Sequence, residues 1–90
     1  MAENVFIALQ NNEEARAIIA AIVEDNPHAV VNELPAMVKI DAPKRLVVKR
    51  ETVEEKMGRE FDLQEIHVNL ISLSGNIDET EEEFVLAWNF

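Results

Sequence analysis

The sequence predicts a single small mixed α/β (α+β) domain with the element order β-α-β-β-β-α-α-β-β. Three observations carry this. Ala15, Ile18, Ile19 and Ile22 fall at i, i+3, i+4 and i+7, one apolar stripe of a helix. Two helix-start signatures, Thr52-Val53-Glu54-Glu55 and Asp62-Leu63-Gln64-Glu65, flank Gly58. The remaining apolar runs are short, rich in β-branched residues and separated by turn residues, as strands are. Ninety residues leave room for one core, so the domain is taken as 1–90.

In chain order, Val5 to Leu9 reads as a buried strand closed by Gln10-Asn11-Asn12. Asn12 is a natural N-cap, and Glu13 and Glu14 suit the positive end of the helix that follows. Asp25-Asn26-Pro27-His28 ends that helix, because the residue before a proline avoids helical geometry. Three strands are expected next: 29–34, Met37 to Asp41 and Arg45 to Arg50, the last two joined as a hairpin around Ala42-Pro43-Lys44. Thr52 is expected to cap a short helix that stops at Gly58, and Asp62 to cap a second. Phe61, just before the second cap, should fasten the joint to the core. Ile66 to Ser74 starts as a strand, with Ile66, Val68 and Leu70 on one face. The alternation then fails at Ile71 and Leu73. Either a bulge swaps the faces and buries both, or two large apolar side chains point outward. Gly75-Asn76 turns the chain, Asp78 to Glu83 reads as a solvated acidic loop, and Phe84, Leu86, Trp88 and Phe90 alternate in a last strand.

The net charge of −10 is unevenly spread. Residues 39–59 hold seven of the eight basic groups, whereas residues 60–90 hold eight acidic groups and no basic one. Such a chain repels phosphate backbones and anionic lipid, so neither nucleic acid nor membrane is an expected partner. Lys39, Lys44, Arg45, Lys49 and Arg50 either shield a sheet edge from aggregation or form a local patch for a protein partner. The absence of cysteine excludes disulfides and thiolate chemistry and suits a reducing cytosol. Neither a secretory leader nor an apolar run of about 18 residues is apparent. A cytoplasmic location is therefore expected.

Catalytic signatures are missing. His28 sits in a turn and His67 has no Glu-x-x-His context, so no metal ligand set is legible. The only glycines, Gly58 and Gly75, make no phosphate-binding loop, and Ser72 and Ser74 lack a nucleophile's surroundings. Neither a cofactor nor a catalytic residue is expected. The chain is read as not being an enzyme by itself.

The segments ALQNNEEARAIIAAIVEDNPHAVV (8–31), LPAM (34–37), RLVVKRETVEEKMGREFDLQEIHVNLISLSGNIDE (45–79) and FVLAWNF together resemble the small regulatory components of bacterial multicomponent phenol hydroxylases. These belong with the regulatory proteins of toluene and soluble methane monooxygenases. The resemblance implies a two-layer fold of two small sheets and about three helices, and a cofactorless protein that binds the oxygenase (hydroxylase) component over its di-iron site. There it would couple NADH consumption to hydroxylation, with the NADH-dependent reductase an indirect partner. Gly58, Arg59 and Phe61 match the family's Gly-Arg-x-Phe joint. The segment after that joint implies partner contacts at Asn69, Ile71, Ser72, Leu73, Gly75 and Asn76. The alternative is a stand-alone ligand-binding domain with a pocket between helix 15–24 and the sheet, although the residues there are mainly aliphatic.

Overall fold

A computed structural model describes residues 4–88. Its strands are β1 (Asn4–Gln10), β2 (Val30–Glu33), β3 (Met37–Pro43), β4 (Arg45–Lys49), β5 (Leu70–Ser74), β6 (Asn76–Glu79) and β7 (Glu83–Ala87). The helices are α1 (Glu13–Asp25), α2 (Arg50–Met57) and α3 (Ile66–Asn69), the last entered through a 3₁₀ turn at Leu63–Glu65. All pairings are antiparallel, in a four-stranded sheet β2-β3-β1-β5 and a three-stranded sheet β4-β7-β6. The expected order therefore holds, with one strand more: β6 takes residues that the sequence assigns to the turn and the acidic loop. Phe90 lies outside the described residues.

The core is one apolar cluster between the sheets and the helices. Val5, Ile7 and Leu9 of β1, Val38 and Ile40 of β3, and Leu46 and Val48 of β4 meet Ile18 and Ile22 of α1, with Phe84 and Leu86 of β7 in the same cluster. Each such side chain contributes roughly 1.5–3 kcal/mol by leaving water. Val85 and Ala87 are buried too, because β7 is the central strand of its sheet.

Side-chain caps fix the helix ends. The Asn12 Oδ1 accepts from the Ala15 N–H at 2.8 Å. At the other end of α1, Asn26 works like a short strand: its Nδ2 donates to the Val47 carbonyl at 2.7 Å while its Oδ1 accepts from the Val47 N–H at 2.9 Å. The outer edge of β4 is thus closed at its centre. Gly58 adopts the left-handed geometry expected of it (φ 76°), with its N–H on the Glu54 carbonyl. The Asp62 capping box forms in full: the Gln64 N–H reaches Asp62 Oδ1 at 3.0 Å and the Asp62 N–H reaches Glu65 Oε2 at 3.1 Å. Phe61 is buried, as expected.

Four expectations need correction. No β3–β4 hairpin exists. β3 runs on through Ala42 and Pro43 to stay paired with Val5 and Asn4, which leaves only Lys44 (φ 66°) to link it to β4. One residue is too short for a hairpin, and β4 pairs with β7 instead. Thr52 is not a cap: α2 already begins at Arg50, whose N–H is satisfied by the Glu82 carbonyl at 2.9 Å, and Thr52 is buried within the helix. Residues 66–69 are helical rather than extended. The turn started by the capping box continues, burying Ile66 and Asn69 at i and i+3 and leaving Val68 71% exposed. Finally, of the five cations expected together, Lys39 and Arg50 are engaged within the chain, whereas Lys44, Arg45 and Lys49 stay exposed at or beside the edge strand β4.

Arg50 pairs with Glu82 (2.9 Å), Lys56 with Glu24 (2.6 Å), Arg59 with Glu14 (3.7 Å) and Lys39 with Asp41 (3.6 Å). The hydrogen bond to Glu24, reinforced by its charge, raises the Lys56 pKa above the usual lysine value. A raised folded-state pKa means that this contribution is complete at neutral pH. It fades only as pH climbs through that alkaline value.

Gly75 takes the chain from the end of β5 into β6 at φ 129°, and a Cβ there would lie 2.9 Å from Val5 Cγ1. Val5 is fully buried and has no room to yield. Gly75→Ala is expected to lower the unfolding free energy by about 1–3 kcal/mol, from strain and overlap together. An unchanged urea midpoint would show that the close approach is wrong. Asp62→Ala removes one real cap and is expected to cost about 1 kcal/mol in the same assay.

Candidate functional site

The run 70–79 has a position no other segment shares. β5 is the outermost strand of one sheet and β6 the outermost strand of the other, and Gly75 joins them directly. One edge of each sheet is therefore presented by one continuous piece of chain, together with its unpaired backbone groups.

The irregularity at Ile71 has a geometric origin. Across the β1–β5 pair, Leu70 stands opposite Leu9 and Ser72 opposite Ala8, so Ile71 is an extra residue in a bulge. The bulge returns Leu73 to the core side, opposite Ile7, where it packs against the apolar cluster. Ile71 itself stays 48% exposed. Each of the two explanations for the broken alternation thus holds for one residue.

The six residues expected at the partner surface separate accordingly. Ile71, Ser72 and Asn76 are exposed along the edge, and Gly75 shapes the crossing between its two halves. Leu73 is partly buried against the core. Asn69 is only 4% exposed and is held inside by Asn12 and Glu14, so it does not belong to the exposed face. Three apolar side chains join the surface without having been singled out: Val68, Ile77 (45% exposed) and Trp88 (42% exposed). Val68 lies in a helical turn where the alternation predicts a strand with this side chain on the face of Ile66 and Leu70. Ile77 could have been found from its place between Asn76 and Asp78, where one large apolar residue breaks a polar stretch. Trp88 is tethered at both ends: its indole N–H donates to the Asn4 carbonyl at 3.1 Å, and its carbonyl accepts from Asn76 Nδ2 at 3.0 Å.

The surroundings are acidic. His67 Nε2 lies 3.0 Å from Glu79 Oε1, and its ring meets Phe84 edge-on at 5.8 Å between centroids. Beside them an open groove of about 710 Å³ is bordered by Asp62, Gln64, Glu79 and Glu81. Among the described residues no group of three or more His, Asp or Glu could hold a metal ion. Between α1 and the sheets, where a ligand pocket was the alternative, the centre is filled by the fully buried Ile7, Ile18, Ile22 and Ile40, and what remains is an open groove of about 400 Å³ at the β2 side, bordered by Arg16, Ile19, Val31 and Glu33. Among the described residues no helix is long and apolar enough to cross a membrane. The arrangement offers an edge, a few apolar anchors and a charged rim, which is the anatomy of a protein-binding surface.

Comparison with known proteins agrees. The profile of the MmoB/DmpM family matches residues 3–87. The chain is 52% identical over 88 residues to the phenol 2-monooxygenase stimulatory component DmpM of Pseudomonas sp. (strain CF600), covering 98% of each chain. Among solved structures it is similar to a chain in a phenol hydroxylase–regulatory protein complex, with 50% identity, a TM-score of 0.91, and coverage of 96% of this chain and 99% of the other. It also shares its fold with the soluble methane monooxygenase regulatory protein B at 20% identity and a TM-score of 0.77, covering 99% of this chain and 67% of that one. The chain belongs to the MmoB/DmpM family.

Proposed function

We propose that this protein is the regulatory, stimulatory component of a multicomponent phenol hydroxylase, and that it binds the hydroxylase component through the edge formed by β5 and β6. The observation that carries the reading is the 52% identity to a phenol 2-monooxygenase stimulatory component over nearly the full length of both chains. The di-iron chemistry belongs to the hydroxylase, and electrons reach it from the NADH-dependent reductase of the same system, with which this chain deals only indirectly. A cytoplasmic location goes with that role.

A protein without a cofactor can change its partner's turnover in one way: by binding one state of the partner more tightly than another. The binding energy has to come from a few well-placed side chains. Ile71 and Ile77 are suited to be anchors, with Ser72 and Asn76 between them as polar contacts. Leu73 supports the strand from inside and is not itself an anchor.

Reconstituted hydroxylase and reductase are expected to form more product per NADH consumed when this protein is added. Equal rate and yield with and without it would refute the role. Ile71→Asp is expected to leave stability within about 0.5 kcal/mol, since the site is half-exposed, and to raise the half-activating concentration about tenfold, the equivalent of about 1.4 kcal/mol. Leu73→Asp puts a carboxylate against the core and is expected to cost more than about 2 kcal/mol of stability. Urea denaturation and activation titrations of both variants distinguish an anchor from a support.

A further inference from the structure

Asn69 and Thr52 are the buried polar side chains among the described residues. Asn69 directs its whole amide at the start of α1. Its Oδ1 accepts from Asn12 Nδ2 at 2.8 Å, and its Nδ2 donates to Glu14 Oε1 at 3.0 Å. Asn12 uses its other amide atom, Oδ1, to cap α1. The contacts continue beyond Glu14: its Oε2 lies 3.7 Å from the Arg59 guanidinium, which in turn stands 3.9 Å from Glu65 of the second capping box. One polar chain thus links the first turn of α1 to both ends of the segment 62–69.

Its position along the sequence gives this network a second meaning. Asn69 is the residue immediately before β5, and Ile71 follows two places later. Here β5 is paired on one side only, and its one ladder, to β1, shifts register between Leu70 and Ser72, so that Leu70 and Leu73 hold it to the core while its start depends on Asn69. The Asn69 amide meets the requirement in one planar group, with an acceptor for Asn12 and a donor for Glu14. A carboxylate would face Glu14 with like charge, and an aliphatic side chain would leave two partly buried polar groups without their partner.

We propose that Asn69 is a positioning residue: from inside the protein it fixes the start of β5 and the bulge that presents Ile71, so that activation of the hydroxylase depends on Asn12 and Glu14 of a segment outside the docking edge. This rests on the reading of β5 as a docking strand. The variants that test it are Asn69→Ala, Asn12→Ser and Glu14→Gln in the full chain. Serine still caps α1 but has no amide to donate, and glutamine keeps an acceptor for Asn69.

Asn69→Ala and Asn12→Ser are expected to speed amide exchange at 70–74 by roughly five- to tenfold, as loss of one hydrogen bond would. Exchange in β4 and β7 should not change. The half-activating concentration should rise by a similar factor, Glu14→Gln should behave as wild type, and the chain carrying both Asn69→Ala and Asn12→Ser should be no worse than Asn69→Ala alone. Should Asn69→Ala fail to fold, Asn12→Ser carries the test. Unchanged exchange at 70–74 in Asn12→Ser would overturn the proposal, as would an equal rise in β4 and β7, which would mean general destabilisation. Faster exchange confined to 70–74 with unchanged activation would overturn the role of Asn69 in activation. In that case Ile71→Asp decides separately whether β5 docks at all.

Discussion

The two sheets share one core because the chain passes directly between them at single residues. Lys44 links β3 to β4 and Gly75 links β5 to β6, both at positive φ. A left-handed residue reverses the local curl of the backbone, so a strand can leave one sheet and enter the other without a loop between them. At Gly75 the crossing also passes so near Val5 that a side chain would not fit. A ninety-residue chain has little surface to bury, and this economy of connection lets every strand but β2 and β6 place side chains in or against the same cluster.

The crossing at Gly75 also creates the surface. An edge strand is ordinarily a liability, to be covered or charged. Here two edges lie next to each other in sequence, and both carry an exposed isoleucine. The centre of the β4 edge is closed by Asn26, whereas Ile71 and Ile77 are left with no such cover. A partner that covers them gains apolar area and loses little to conformational entropy, because the bulge and the core contact of Leu73 already hold the strand.

Charge has two separate uses. Arg50, Lys56 and Arg59 tie α2 and the joint after it to α1 and to the loop at Glu82, and so hold the helical layer together. Lys44, Arg45 and Lys49 are exposed and form no ion pair among the described residues. The excess acid of 78–83 lies beside the proposed docking edge, where it would steer encounter with a positively charged surface more than it would add affinity.

Periodicity and caps, which act over a few neighbouring residues, determined α1, its Asn12 cap, the Gly58 stop, the Asp62 capping box and the burial of Phe61. The segment proposed to face the partner follows as a whole from family resemblance, and the irregularity at Ile71 within it from a failed alternation. What tertiary structure decided was everything that depends on distant pairing. Four residues such as 66–69 fit a helical turn and a strand equally well, and only the continuing turn and the burial of Asn69 against α1 settle which forms. Likewise, Thr52 carries a capping signature, but the Glu82 carbonyl, thirty residues away, starts the helix earlier. Ile71 and Leu73 are alike in sequence. A register shift against β1 sends one to solvent and the other to the core, because a one-residue insertion inverts the faces of everything that follows it.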